Sequence, residues 1–138
     1  MLEKRNKTLV RRIVEEVLNR GRLEVIDELV DESFVLHSHG LEGRDAFKRL
    51  VRDIRRAFPD LHCEIELMIA EDDLVAMRLT TTHTHLGPFM GVAPTGVHGS
   101  HSGMSFVRVV DSRAVEHWEE ADMLGLLQQL GALPQEVM

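Results

Sequence analysis

The spacing of apolar residues in this chain changes once, at Pro59, and that change limits the folds available to it. Before Pro59 apolar residues recur every three or four positions, as in the stripe from Val10 to Leu18, which is the spacing of an amphipathic helix. After Pro59 they alternate with polar residues, as from Leu61 to Ile69, which indicates half-buried strands. Helices followed by strands are typical of an α+β domain.

Turn and capping residues divide this pattern into elements. Asn6 is a candidate N-cap for the first helix and Gly21 a candidate C-terminal stop. After this first helix the sequence predicts, in chain order, a helix over 23–30, a strand over 34–37, a helix over 44–58, strands over 61–69, 74–85, 100–110 and 114–121, and a last helix over 123–130.

Composition excludes several classes of function. The 138 residues are expected to form one domain, 1–138, and carry a formal charge of -7, which argues against nucleic acid as a partner because phosphates require clustered Lys and Arg. No apolar run approaches the length of a membrane span, and the first residues lack a secretory signal. A single cysteine, Cys63, excludes an internal disulfide. The expected location is cytoplasmic, with no membrane contact.

Several short motifs occur in a specific order along the chain. They are Phe58-Pro59-Asp60, Arg78 with Thr80, the loop Thr84-His85-Leu86-Gly87-Pro88-Phe89-Met90-Gly91, Pro94-Thr95-Gly96, Phe106-Val107-Arg108-Val109, Glu116-His117-Trp118, Asp122, Leu124-Gly125-Leu126-Leu127 and Gln129-Leu130-Gly131. In this order the chain resembles the SnoaL-like polyketide cyclases, a branch of the nuclear-transport-factor-2-like superfamily. The resemblance covers Thr8 to Leu133.

The resemblance implies a fold and an activity. The implied fold is a curved antiparallel sheet wrapped around three helices, a cone-like α+β barrel that forms a homodimer or homotetramer. The implied activity is intramolecular aldol condensation of a polyketide ester, a small hydrophobic carbonyl ligand, with no cofactor. The family's general acid/base, an aspartate four residues after a tryptophan, corresponds to Asp122. The family's pocket histidine falls at Arg108 here, and His101 is a candidate substitute on the same strand, on the opposite face unless a bulge intervenes.

Asp122 has two interpretations. It precedes the apolar run Met123–Leu127, so we expect its carboxylate in apolar surroundings, where lost hydration would suit it to proton transfer. It is equally placed to cap the last helix, since Asp is a favoured N-cap residue. One aspartate is a weak base, so the substrate would have to be an acidic carbon, such as a methylene between two carbonyls.

The predicted substrate-binding residues come from the loop and from the strands beside it. Three glycines and two prolines shape the loop over 86–97, which would fold its apolar side chains over a ligand. The alternative is an ordinary connection with its own apolar cluster. Hydrogen-bond donors would stabilise an enolate. The predicted set is His37, His85, Phe89, Met90, Arg108 and Trp118, with Asp122 and His101 as catalytic residues.

Three alternatives compete with the cyclase interpretation. A zinc site would need three or four ligands, and the pairs His37/His39 and His83/His85 lie in unrelated segments, so no metal is predicted. Ketosteroid isomerase and limonene-epoxide-hydrolase relatives use a tyrosine, which the chain lacks. The third alternative is a non-catalytic dimeric module that binds a small apolar ligand.

Overall fold

The computed structural model describes residues 1–135, which form a six-stranded sheet and the helices packed on it. In chain order the elements are α1 (Leu2–Arg12), continued by a π-helical turn (Ile13–Leu18), α2 (Glu24–Leu29), β1 (Val30–Leu36), a 3-10 turn (His37–His39), β2 (Leu41–Glu42), α3 (Arg44–Ala57), β3 (His62–Glu71), β4 (Leu74–Thr84), β5 (His98–Val110), β6 (Arg113–Ala121) and α4 (Met123–Gln129). The predicted α+β class is confirmed.

The sheet has the strand order β2-β1-β6-β5-β4-β3 and is not closed. Neighbouring strands are antiparallel except β1 and β6, which are parallel. The prediction of a purely antiparallel sheet is therefore wrong at this one pair. Parallel neighbours need a long connection between them, and this pair has one, because most of the domain lies between β1 and β6 in the chain.

The first helix differs from its predicted bounds. It begins at Leu2, and Asn6 lies inside it with 4% of its surface exposed, so the prediction of Asn6 as N-cap is wrong. The helix ends at Leu18, and Gly21 follows with a φ of 68°, donating its N–H to the carbonyl of Val17. The left-handed conformation at Gly21 explains why a glycine ends this segment.

β3 contains an irregularity that reverses its predicted faces. The register to β4 shifts between Ile65 and Leu67, so one extra residue is accommodated as a β-bulge. Beyond the bulge Leu67 and Ile69 are exposed, at 66% and 70%, whereas Met68 packs against the core. The alternation over 61–69 therefore predicts the buried face only as far as Ile65.

The Phe58-Pro59-Asp60 motif joins the end of α3 to the end of β4. The Asp60 carboxylate accepts hydrogen bonds from the Thr84 backbone N–H at 2.7 Å and from the Thr84 hydroxyl at 2.6 Å. These bonds lower the pKa of the Asp60 carboxyl group, the hydroxyl contributing most. Gly87 follows against the backbone of Arg56, where a Cβ would meet its carbonyl oxygen.

β1 is shorter than its parallel partner β6, and this leaves part of β6 without a strand beside it. The pairing ends where Leu36 lies opposite His117. Past that point the 3-10 turn takes over, and the Glu119 N–H donates to the Ser38 hydroxyl at 2.7 Å. Beyond Leu36 no strand beside β6 separates the inner face of the sheet from the outer face.

Candidate functional site

Two hollows lie on opposite faces of the sheet near the end of β6. One is an interior cavity of about 110 Å³ between the sheet and the helices. The other is an open groove of about 640 Å³ on the outer face. Glu119 borders both of them. The two hollows therefore share a wall where β1 has ended.

The interior cavity is apolar except at one end. Its apolar lining comes from α1 with its π-helical turn, from α3 and from the inward positions of β1, β4 and β5. The polar residues at its lining are His39, Ser105, His117 and Glu119. The cross-strand register groups three of these polar residues. Ser105 lies opposite Glu119, and Val107 lies opposite His117. The side chains of both pairs therefore point inward.

Several polar atoms at this end have no hydrogen-bond partner. Ser105 is 2% exposed, and its Oγ is buried without a partner, as is Nδ1 of His117. His117 Nε2 and Glu119 Oε2 are 3.9 Å apart, beyond hydrogen-bond distance. An unpaired buried polar group is costly, so this end of the cavity suits a polar group of a ligand.

Burial shifts the pKa values of His117 and Glu119 in opposite directions. Loss of hydration lowers the pKa of His117 to about 4, with smaller contributions from His39 and His37. Loss of hydration raises the pKa of the Glu119 carboxyl group, and His39 partly opposes this. The Glu119 side chain keeps 34% of its surface accessible, because it borders the two hollows. The pair therefore favours a neutral imidazole beside a carboxyl group that holds its proton more firmly than usual.

The outer groove contains Asp122. Its other lining residues are Ser38, Arg78, Ser102, Gly103, Met104, Phe106, Trp118, Glu119, Glu120 and Ala121. Exposed apolar side chains of β5, Met104 and Phe106, form much of its floor. The Asp122 N–H donates to the Ser102 carbonyl at 2.9 Å, which holds the backbone of Asp122 at the end of β6.

The Asp122 side chain is exposed and caps α4. Its Oδ1 accepts from the Gly125 N–H at 2.9 Å, and the carboxylate lies where a Cβ on Gly125 would be. The expectation that the Asp122 carboxylate is withdrawn from water is therefore wrong, because the residue is exposed on the outer side of the last turn and does not line the interior cavity. The capping interpretation is confirmed.

His101 points into the fold and pairs with another histidine. His101 Nδ1 and His83 Nε2 are 2.9 Å apart. Burial and the neighbouring His83 lower the pKa of His101 to about 4, while Asp122 acts in the opposite direction. His101 is therefore neutral near pH 7, so one of its ring nitrogens carries a proton and donates a hydrogen bond, while the other accepts a hydrogen bond.

Arg108, His37 and Trp118 form a second cluster, outside the cavity. Arg108 points to the outer face and His101 to the inner face. Two residues of one strand that are an odd number of positions apart are expected to point in opposite directions. Its guanidinium contacts Asp73 at 2.6 Å and Glu116 at 2.9 Å and lies 5.8 Å from the centre of the Trp118 ring. His37 stacks on that ring at 4.8 Å. Of these residues only Trp118 lines the groove.

The glycine- and proline-containing loop packs on the end of α3. Phe89 packs edge-on against Phe58 at 5.0 Å, and His85 is fully buried with its Nδ1 3.0 Å from the Thr95 hydroxyl. Met90 is exposed. None of the three lines either hollow. The loop matches the alternative of a connection with its own apolar cluster.

Sequence reasoning missed Ser105, His117 and Glu119 as candidate site residues. The available signal was the alternation on β6, which places His117 and Glu119 on the same face as the apolar positions of β5. In the sequence His117 stands out only as part of the motif Glu116-His117-Trp118. The signal is weak by itself, because it becomes visible only when the register between β5 and β6 is known.

Within residues 1–135, no group of three or more His, Cys, Asp or Glu side chains is arranged to hold a metal ion. No helix within the same residues is long and apolar enough to cross a bilayer.

Relatives with named activities support one family. The model of the SnoaL-like polyketide cyclases matches residues 8–130. The chain is 30% identical over 130 residues to the aklanonic acid methyl ester cyclase DauD of Streptomyces sp. strain C5, covering 89% of this chain and 80% of the relative. It is 30% identical over 118 residues to the nogalonic acid methyl ester cyclase of Streptomyces nogalater, covering 82% and 88%.

Solved structures agree with this match. AclR of Streptomyces galilaeus, described as a proposed hydroxylase, is 38% identical with a TM-score of 0.84, covering 95% of this chain and 83% of its own. A proposed SnoaL-like polyketide cyclase from Jannaschia sp. CCS1 is 25% identical with a TM-score of 0.88, covering 96% of each. The fold, the motif order and these matches together show that the chain belongs to the SnoaL-like polyketide cyclase family.

Proposed function

We propose that this protein closes a ring in a polyketide ester by cofactor-free intramolecular aldol condensation, with Asp122 as general acid/base. The observation that carries the proposal is the groove at Asp122 in a chain of this family. At about 640 Å³ the groove lies within the usual range for small-molecule sites, roughly 300–1,000 Å³. The interior cavity, at about 110 Å³, is too small for a multi-ring ligand.

The proposed reaction conserves every atom of the substrate. A carboxylate oxygen of Asp122 removes a proton from a carbon between two carbonyl groups, and the resulting enolate carbon forms a bond to a second carbonyl carbon of the same molecule. The new alkoxide takes the proton back from Asp122. The second oxygen, Oδ2, is the candidate for this transfer, because Oδ1 holds the cap of α4.

A charge-stabilising group is needed for the enolate. Arg78 lines the same groove as Asp122 and supplies a positive charge there. Trp118 contributes an aromatic surface and an indole N–H donor. His101 lies on the inner face of the sheet as a neutral imidazole, close enough to Asp122 for an electrostatic interaction.

The implied homodimer or homotetramer is part of the same proposal. Leu67, Ile69, Met104, Phe106 and Val110 are exposed apolar side chains on the outer face of the sheet, and Met104 and Phe106 line the groove. A second copy of the chain on this face would bury them. It would also cover the groove and reduce the contact of Asp122 with bulk water, which strengthens electrostatic effects there.

The test is turnover of aklanonic acid methyl ester, followed by chromatography with mass detection. Asp122→Asn keeps the shape of the side chain and is expected to lower the rate by about a hundredfold or more, the usual contribution of a general acid/base. Asp111→Asn, an exposed carboxylate in the β5–β6 turn, is the matched control and is expected to keep the wild-type rate. Equal rates for Asp122→Asn and wild type would refute the role of Asp122.

Two observations favour second candidates, and the same assay separates them. The 38% identity to AclR favours hydroxylation of a similar substrate, in which molecular oxygen would supply the added oxygen atom and a two-electron reductant from solution would reduce the second oxygen atom to water. A hydroxylated product would be heavier by one oxygen atom, whereas a cyclised product has the mass of the substrate. The exposure of Asp122 favours a non-catalytic binding module. That module would bind the ester saturably without converting it.

A further inference from the structure

Two histidines on neighbouring strands form a hydrogen-bonded pair that lies apart from the interior cavity. Nε2 of His83 on β4 is 2.9 Å from Nδ1 of His101 on β5. His83 is 1% exposed, and the Phe58 ring packs against it with the ring centres 4.6 Å apart. Neither histidine lines the cavity or the groove. The pair is therefore a separate polar feature of the inner face of the sheet.

The direction of this hydrogen bond depends on which ring nitrogens carry the protons. Burial lowers the pKa of both rings, and for His101 it does so to about 4. Both rings are therefore neutral near pH 7, and each carries a single proton. Either His83 donates from Nε2, or His101 donates from Nδ1.

The surroundings of His83 favour His83 as the donor. Its Nδ1 is buried and has no hydrogen-bond partner among the described residues. If His101 donated, the proton of His83 would have to sit on this enclosed Nδ1, and an unpaired buried N–H group is costly and rare. If His83 donates, only a lone pair is left there. Both rings then carry the proton on Nε2, the nitrogen that neutral histidine already prefers in water.

The other nitrogen of the His101 ring remains available. Nε2 of His101 is not enclosed, and within residues 1–135 the ring is hydrogen-bonded only to His83. The charge of Asp122 acts on His101 but not on His83, so Asp122 lies on the His101 side of the pair. β6 ends at Ala121, opposite Gly103, so it does not extend beside His101. The free nitrogen therefore belongs to the end of the sheet that holds Asp122.

We infer that His83 is a positioning residue that donates its Nε2 proton to Nδ1 of His101, so that His101 acts at Nε2 as a hydrogen-bond donor and not as a base. The inference rests on the proposed function for the acceptor alone. That acceptor is an enolate or alkoxide oxygen of a substrate beside Asp122, since a fixed donor stabilises such an anion. Proton transfer is left to Asp122.

The same arrangement resists protonation of His101. A protonated His101 carries a second proton on Nδ1, which faces His83. His83 could accept this hydrogen bond only by holding its own proton on the enclosed Nδ1. The titratable groups that act on the two rings, besides the rings themselves, are Asp60, His85, His98 and Asp122. The carboxylates among them favour protonation and the histidines oppose it.

The first test locates the protons without substrate, by nuclear magnetic resonance on protein with a heavy nitrogen isotope in its histidine rings. In wild type near neutral pH we expect the proton on Nε2 of both His83 and His101, with a coupling across the hydrogen bond between them. A proton on Nδ1 of either ring would overturn the inference. This measurement needs neither a variant nor turnover, so failure of the Asp122 mechanism leaves it unaffected.

Substitutions of His83 separate the hydrogen bond from packing. His83→Leu removes the donor and should lower kcat for aklanonic acid methyl ester about tenfold, with KM little changed. His83→Gln keeps an N–H donor and should recover most of this loss. Its amide oxygen also accepts from a protonated His101, so it should raise the pKa of His101 by about one unit above the wild-type value. His62→Gln, which removes an exposed histidine on β3, is the control and should match wild type.

The outcomes decide the role of His83 separately from that of Asp122. A His101 pKa that does not rise in His83→Gln, or equal losses of kcat in His83→Gln and His83→Leu, would contradict the inference. If His83→Leu does not fold, the proton positions in wild type and the titration of His83→Gln decide the question. Both of these are read from the protein alone.

Discussion

Acidification should destabilise the fold through His117. Its pKa is lowered from 6.5 to about 4 by burial, so between these values the unfolded chain binds a proton that the folded chain does not. Stability therefore rises with pH in this window and is lost as the pH falls. For these two pKa values, lowering the pH from about 7 to about 5 removes about 2 kcal/mol of the free energy of unfolding.

The measurement is urea denaturation at both pH values for wild type and His117→Gln, which does not titrate. Glu119 acts in the opposite direction, because a raised carboxyl pKa adds stability as the pH falls. The wild-type change alone is therefore a sum, and the difference between wild type and variant isolates the histidine. We expect wild type to lose about 2 kcal/mol more than the variant. The control His62→Gln removes an exposed histidine and should follow wild type. Equal losses in wild type and His117→Gln would refute the reasoning.

Two further predictions concern the edge strand and the outer face. Asn19→Ala removes two hydrogen bonds to the backbone of Cys63, of 3.0 and 2.7 Å, and should lower the free energy of unfolding by about 2 kcal/mol in urea denaturation. Arg20→Ala, next to it and exposed, should have little effect, and a similar loss in both would contradict the assignment. Phe106→Lys places a charge on the outer apolar face and should convert an oligomer to a monomer in light scattering, whereas a monomeric wild type would contradict the proposed assembly.

The order of the main elements was predictable from residue spacing. Pro59 ends α3 just after Ala57 because proline has no N–H to donate and restricts the residue before it. The alternation in β4 and β5 predicted strands whose ends lie within two residues of the observed ones. Asp111-Ser112 forms the predicted turn, with both residues in the left-handed region. In each of these cases the neighbouring residues in the sequence are enough to predict the local structure.

The candidate site was harder to predict because it depends on contacts between distant segments. The bulge at Glu66 has no local signal, yet it determines which face Leu67 occupies. The polar end of the cavity exists because Ser105 and Glu119 are cross-strand partners. For Asp122, both interpretations were compatible with the sequence, since the packing of the last helix decides whether a residue at its start points inward or outward.

The single additional residue in β3 has an effect on both surfaces of the sheet. Bulges bend and twist the strand that contains them, and here the same insertion turns Leu67 and Ile69 away from the helices. Removing Glu66 would return those two side chains to the interior and straighten the strand at the same time. The bend of β3 and the exposure of Leu67 and Ile69 therefore both depend on this one residue, so that its deletion would change the two together.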